Sequence, residues 1–297
     1  DLPEAEVARE RQLQLQDIAA REDRPSAVAF ELFSKTLFTE HPYRLSLSGE
    51  TASVEKLNSD RLRAFHEKYF DPSRMTLAVV GDVDTRAVID AATKAFGQSR
   101  STTGAPTIVV EPPVTAPRQA KRTLAKAQTQ LVLGFPGARV TDSWRRPLEV
   151  LSTLLSGQSG RLFIELRDKR SMAYSVSATT LEGVDPGYFA VYMATSPEKV
   201  DAALAGMREE LVKLKAERVG EHELVRAKRY LVGSQQIGLQ RNGARAATMA
   251  LDACYGLGPE KYLRYADEME AVTADDVLEV ARRVLDFDKE TLVTVGP

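Results

Sequence analysis

An α+β fold built from two similar domains of mixed sheet covered by helices, the first of them incomplete, is predicted by three features of this sequence. Strand-like and helix-like apolar patterns are interspersed along the chain, a Pro-, Gly-, Ser- and Thr-rich interval divides it at 99–117, and one stretch recurs on either side of that interval. The implied organisation is the later part of a first domain at 1–98, a linker at 99–117 and a whole second domain at 118–297.

The elements follow in order from local patterns. Residues 4–21 are good helix formers and end before Pro25, since a proline disfavours the α region in the residue before it. A second helix over 26–38 carries Val28, Phe30, Leu32, Phe33 and Leu37, and His41-Pro42-Tyr43 then forms a loop. Ser59 is a candidate cap for a helix over 60–70, residues 75–80 read as a short apolar strand stopped by Gly81, and Asp84 caps a helix to 96. Pro106, Pro112, Pro113 and Pro117 mark the linker. Beyond it, 129–135 alternates as a strand, 147–155 and 161–167 are helical, and strands at 174–181 and 188–194 are joined by Gly183 and Asp185-Pro186-Gly187. Ser196-Pro197 opens a helix whose apolar face is Val200, Leu204, Met207, Leu211 and Leu214. Helices at 221–236, 244–255, 259–269 and 274–285 precede a last strand at 291–295.

Residues 58–81 align without a gap on 273–296. In each, a helix beginning at Asp60 or Asp275 reaches an acidic turn at Asp71 or Asp286, and Thr76, Leu77, Val80 and Gly81 recur as Thr291, Leu292, Val295 and Gly296. Glu6 and Arg9 over Glu223 and Arg226 extend the match at nearly the same spacing. Any helix-to-strand unit has some of this pattern; two segments in the same order point to duplication. The first copy is then expected to lack its opening half-domain. The chain also starts at Asp1 and not at methionine, which fits a fragment or processed product.

Composition removes several classes of function. Of 297 residues 43% are hydrophobic and 28% charged, which suits a globular protein. The 40 basic and 42 acidic residues are interspersed, so no nucleic-acid footprint exists. Cys254 is the only cysteine, which excludes an intrachain disulfide and a cysteine zinc cage. No apolar run is long enough to span a membrane and no signal-peptide pattern opens the chain. The compartment is open, with a bacterial cytoplasm or periplasm expected.

The densest motif is Gly157-Gln158-Ser159-Gly160-Arg161-Leu162-Phe163 followed by Leu166-Arg167-Asp168-Lys169-Arg170-Ser171-Met172-Ala173-Tyr174-Ser175-Val176. Its glycines lack the spacing of a phosphate-binding loop. The whole resembles the signature of the pitrilysin/insulinase (M16) zinc metallopeptidases, and His41-Pro42-Tyr43 with Gly49 and Val79-Val80-Gly81-Asp82-Val83 resemble that family's first-domain landmarks. The resemblance implies that Arg167 and Tyr174 grip the substrate backbone, where a guanidinium and a phenol can donate to a carbonyl that becomes an oxyanion. Apart from the resemblance, the two read as an exposed helix arginine and a half-buried strand tyrosine.

The resemblance also implies zinc in the complete enzyme, yet neither H-x-x-E-H nor H-E-x-x-H occurs, and His41, His66 and His222 are isolated. No zinc is expected to bind this chain alone. Glu10 and Asp17, two helical turns apart and so on one face, match the spacing of the family's second-shell and third-ligand glutamates, with an aspartate in the ligand position. Two solvated carboxylates would give the same pattern. The implied function is that of one half of a clamshell metalloendopeptidase acting on peptides or unfolded proteins. The other half would be supplied in cis or trans, in a homo- or heterodimer. The alternatives are a non-proteolytic structural or binding subunit of the same family, and an unrelated α+β binding domain.

Overall fold

The computed structural model describes residues 1–71, 74–97 and 109–297. The helices are α1 (Glu4–Arg21), α2 (Pro25–Leu37), α3 (Thr51–Val54), α4 (Ser59–Tyr69), α5 (Thr85–Phe96), α6 (Arg145–Leu155), α7 (Val200–Ala216), α8 (Glu221–Gly238), α9 (Asn242–Cys254), α10 (Tyr265–Ala271) and α11 (Ala274–Val284). The strands are β1 (Arg118–Thr123), β2 (Thr129–Pro136), β3 (Ser175–Leu181), β4 (Tyr188–Thr195) and β5 (Thr291–Gly296). Among the described residues no helix is long and apolar enough to cross a membrane.

The chain forms two compact units. One comprises Asp1–Ala19, Ser48–Ile108 and Gln235–Arg264; the other comprises Ala20–Leu47, Val109–Ser234 and Tyr265–Pro297. These units interleave along the chain, whereas the division anticipated at 99–117 is sequential. Residues 98–108 of that interval lie outside the described residues.

The larger unit holds a mixed five-stranded sheet in the order β1-β5-β2-β4-β3, parallel at β1–β5 and antiparallel elsewhere. Both faces are buried. Leu131, Leu133 and Phe135 of β2 face the cluster built with α6, α7 and α11, while Val132 faces α2 across a second cluster of Val28, Ala29, Phe33, Leu37, Val293 and Val295. β2, read from the sequence as alternating, is therefore buried at every residue but the last. The strands expected at 129–135, 174–181, 188–194 and 291–295 are present. β1 had no apolar signal, because its sequence Arg-Gln-Ala-Lys-Arg-Thr is mostly exposed at a sheet edge.

Gly134 sets how closely α2 approaches. A β-carbon there would sit 2.3 Å from Cζ of Phe33 and 2.9 Å from the carbonyl oxygen of Phe189. Phe33, wholly buried, therefore rests on bare backbone, edge-on to Tyr188 at 5.2 Å.

Glu111 ties the segment before β1 to the end of α2. Its carboxylate accepts from the backbone N–H groups of Thr39 (2.7 Å), Glu40 (3.0 Å) and His41 (2.8 Å) and from the Thr39 hydroxyl (2.9 Å). Its own N–H donates to Asp185 at 2.8 Å. Burial pushes the Glu111 carboxyl up, but the donors from His41, Thr39 and Glu40 outweigh it and hold the group below its ordinary range.

In the smaller unit α4 is capped by Asn58, whose side chain accepts from the N–H of Arg61, and not by Ser59, which is the first helical residue. Asp84 caps α5 as its sequence suggests. Residues 75–80, expected as a strand, have no ladder partner among the described residues.

Gly134→Ala should destabilise the chain by about 1–3 kcal/mol, since a well-packed ring must move to admit a methyl group; urea denaturation measures this. Glu111→Gln should cost about 1–3 kcal/mol at pH 7. Because the folded pKa of Glu111 lies below the unfolded one, its contribution is full above the unfolded carboxylate range and is lost as pH falls through the folded value. The gap between variant and parent should therefore narrow below about pH 4, and melting curves across pH read it out.

Candidate functional site

The motif that begins at Gly157 lies wholly in the larger unit, between the end of α6 and the start of β3. Gly160 is required by close approach, because a β-carbon would lie 2.2 Å from the carbonyl oxygen of Ser156. Ser156 in turn holds the sheet edge: its hydroxyl accepts from the N–H of Ala178 (2.8 Å) and donates to the Ala178 carbonyl (2.9 Å). The helix after Gly160 becomes π-helical over Phe163–Lys169, a widened turn that often marks functional positions, and is anchored by buried Leu162 and Leu166.

Arg167 is on the exposed side of this segment, with its guanidinium carbon 4.6 Å from the centroid of the Phe163 ring. The neighbouring cations are all engaged. Arg161 makes two 2.8 Å bonds to Glu223, which raise its pKa further, Lys169 meets Glu165 at 2.6 Å, and Arg170 pairs with Glu209 at 2.7 and 3.1 Å. Arg170, with Lys213, pushes the Glu209 carboxyl down to about 2, so that pair stays charged at any working pH. Among the described residues no carboxylate pairs with Arg167.

The link to Tyr174 is short and tightly held. Ser171 takes a left-handed conformation (φ 49°), which ends the helix, and the Met172 N–H donates back to the Leu166 carbonyl at 2.7 Å. The buried Thr195 hydroxyl donates to the Met172 carbonyl (2.6 Å) and Lys199 to the Ser171 carbonyl (3.0 Å). Tyr174 then joins the sheet through its N–H to the Ala194 carbonyl (2.9 Å), while its side chain is 72% exposed. The tyrosine is thus far more exposed than the half-buried strand residue that its pattern alone suggested. Thr195 and Lys199 carry no motif of their own; Phe163 lies within the motif, and its placement one turn before Arg167 is the signal that could have suggested a ring beneath the guanidinium.

Glu10 and Asp17 are both exposed on α1, and Glu10 lies 3.1 Å from Arg9. Among the described residues no three His, Cys, Asp or Glu side chains come together in a way that could hold a metal ion. His41 is buried, its Nδ1 accepting the Tyr43 N–H at 3.2 Å, and His66 stacks on Phe70 at 4.8 Å. The described residues do not by themselves make up a zinc site.

The larger unit is a three-layer α+β unit, with Arg167 on a helix and Tyr174 immediately before β3. Residues 56–231 match the family model described as Peptidase M16 inactive domain. An uncharacterized zinc protease of Streptomyces coelicolor is 33% identical over 311 residues; the match covers 100% of this chain and 66% of that protein, so the chain spans about two thirds of its relative. In the crystal structure of a protease from Helicobacter pylori, 73% of the chain superposes on 100% of this one with a TM-score of 0.92 at 23% identity. A structure of a peptidase M16 inactive domain from Pseudomonas fluorescens gives 0.89 at 22% identity, covering 99% of this chain and 71% of its own. This chain belongs to the M16 peptidase family.

Thr195→Val should cost about 1–2 kcal/mol, because the buried Met172 carbonyl loses its donor. Hydrogen exchange should at the same time rise at 171–174 while the amides of β2 and β4 stay protected.

Proposed function

We propose that this chain is the substrate-gripping, non-catalytic part of a zinc-dependent metalloendopeptidase acting on peptides or unfolded proteins, with Arg167 and Tyr174 as the gripping pair. One observation supports the reading: among the described residues Arg167 has no carboxylate partner where Arg161, Lys169 and Arg170 each have one, and a hydrogen-bonded connection joins it to an exposed tyrosine. Ion pairing would stabilise this surface further, so an unpaired guanidinium over a ring is better explained by a partner that arrives with the substrate. A peptide carbonyl accepts from both a guanidinium and a phenol, and both bonds strengthen as the oxygen becomes an oxyanion.

Zinc, when bound by the complete enzyme, supplies an activated water. In this reading its principal ligands come from a second M16-like half, in cis or in a dimer, and Asp17 occupies the third-ligand position with Glu10 behind it on the same face. No step is assigned to the metal through residues of this chain. The division into a partial first domain at 1–98 and a full second domain at 118–297 belongs to the same proposal, as does action in a bacterial cytoplasm or periplasm. A non-proteolytic role for this chain is favoured by the family description, which speaks of an inactive domain; it differs from the first reading only if the complete assembly cleaves nothing.

In the complete assembly, Arg167→Ala and Tyr174→Phe should each lower kcat/KM for an unstructured peptide by about 10²–10³-fold, the usual cost of removing one oxyanion donor. Unchanged turnover in the arginine variant would remove these residues from substrate binding. Chelator-sensitive peptidase activity of residues 1–297 alone would overturn the division of labour.

A further inference from the structure

Among the described residues a positive φ occurs at Gly49, Gly157, Gly256 and Gly258 and at a single residue with a side chain, Ser171. A left-handed backbone crowds the β-carbon of an L-residue, and glycine, the common residue just past a helix end, carries none. Every backbone bond around Ser171 would survive that exchange. Its N–H donates to the Arg167 carbonyl (3.0 Å) and its carbonyl accepts from Lys199 (3.0 Å). The Met172 N–H reaches the Leu166 carbonyl (2.7 Å), and the Met172 carbonyl accepts from Thr195 (2.6 Å). Gly206 lets α7 press on the same turn, since a β-carbon there would lie 2.7 Å from Cδ2 of Leu166 and 3.7 Å from the Met172 sulfur.

None of these contacts uses the serine side chain. Ser171 is exposed, and its hydroxyl has no hydrogen-bond partner among the described residues. The turn thus keeps a strained residue whose side chain does nothing for the fold, and strain of this kind gathers at sites that bind or react. Its position is on the connection between Arg167 and Tyr174. A guanidinium only donates, whereas an extended peptide presents N–H groups beside its carbonyls and those need an acceptor. A serine hydroxyl has two lone pairs to offer. Because the backbone is fixed on both sides of Ser171, the direction of its Cα–Cβ bond is fixed before any ligand arrives.

We infer that Ser171 is a further substrate-binding residue, whose hydroxyl accepts a hydrogen bond from a backbone N–H of the peptide that Arg167 and Tyr174 hold by a carbonyl. The inference rests on the gripping role given to that pair and adds the group that the connection between them reads. A chain with proline or an N-methylated residue at that position lacks the N–H and binds less well.

The test is the Kd of a fluorescein-labelled, unstructured peptide with uncharged side chains on the complete assembly, read by fluorescence anisotropy with the metal chelated so that the peptide stays whole. Ser171→Gly and Ser171→Ala should each weaken binding about 3–10-fold, the usual worth of one neutral hydrogen bond. Only Ser171→Gly should also raise Tm, by about 2 °C, because glycine alone relieves the backbone. Replacing the peptide N–H groups one at a time by N-methyl should reveal one position whose loss vanishes in Ser171→Ala, since both changes break the same bond. A serine that serves only the turn would give the Tm change with an unaltered Kd, and that result overturns the inference, as do losses that add at every position. If Arg167→Ala weakens binding and the Ser171 variants do not, the inference falls alone. If Arg167→Ala also binds as the parent does, the gripping role falls with it.

Discussion

The contact of Phe33 with the bare backbone of Gly134 is the constraint on which the larger unit depends. β2 lies between β5 and β4, so whatever covers its two faces defines both halves of the core. On one face Leu131, Leu133 and Phe135 need the three helices α6, α7 and α11; on the other a single helix, α2, must do the same work. One helix can do so only by coming close, and the absent β-carbon at 134 gives Phe33 the room. Glu111 then fixes the end of α2, so the approach is set at both a ring and a hinge.

The strands were legible from short apolar stretches, read as alternating at 129–135 and bounded by turn residues at 183–187; that both faces of β2 are buried was not anticipated. The helix caps at Asp84 and the periodicity of α7 were legible for equally local reasons. What the sequence could not carry was non-local. α2 precedes the linker, and nothing in Val28, Ala29 and Phe33 says that they cover a sheet formed after it. β1 is recognisable only through its parallel pairing with β5, a contact between segments far apart in the chain. Residues 75–80 have the composition of a strand, but a strand requires neighbours, and among the described residues they have none.

The site was half legible in the same sense. Spacing and resemblance singled out Arg167 and Tyr174 as candidates, and in the larger unit a short hydrogen-bonded connection runs between them. Their availability depends on residues that carry no motif. Glu223 comes from α8 and Glu209 from α7, and each removes a competing cation. Thr195, the last residue of β4, fixes the loop between them from beneath.

That pairing also bears on what the surface can recognise. With Arg161, Lys169 and Arg170 compensated, the segment presents one guanidinium and one phenol, and no cluster of positive charge. A polyanion would gain little from it, in keeping with a chain whose basic and acidic residues nearly balance. A neutral, strongly accepting oxygen gains more, because a planar guanidinium held over a ring keeps its N–H groups in a fixed fork, and Tyr174 adds a donor from a backbone locked into the sheet. A lysine at 167 would keep the charge and lose both the ring contact and the fork. Under the proposed function, the arginine at 167 would therefore serve directed hydrogen bonding to a carbonyl, with net charge playing the smaller part.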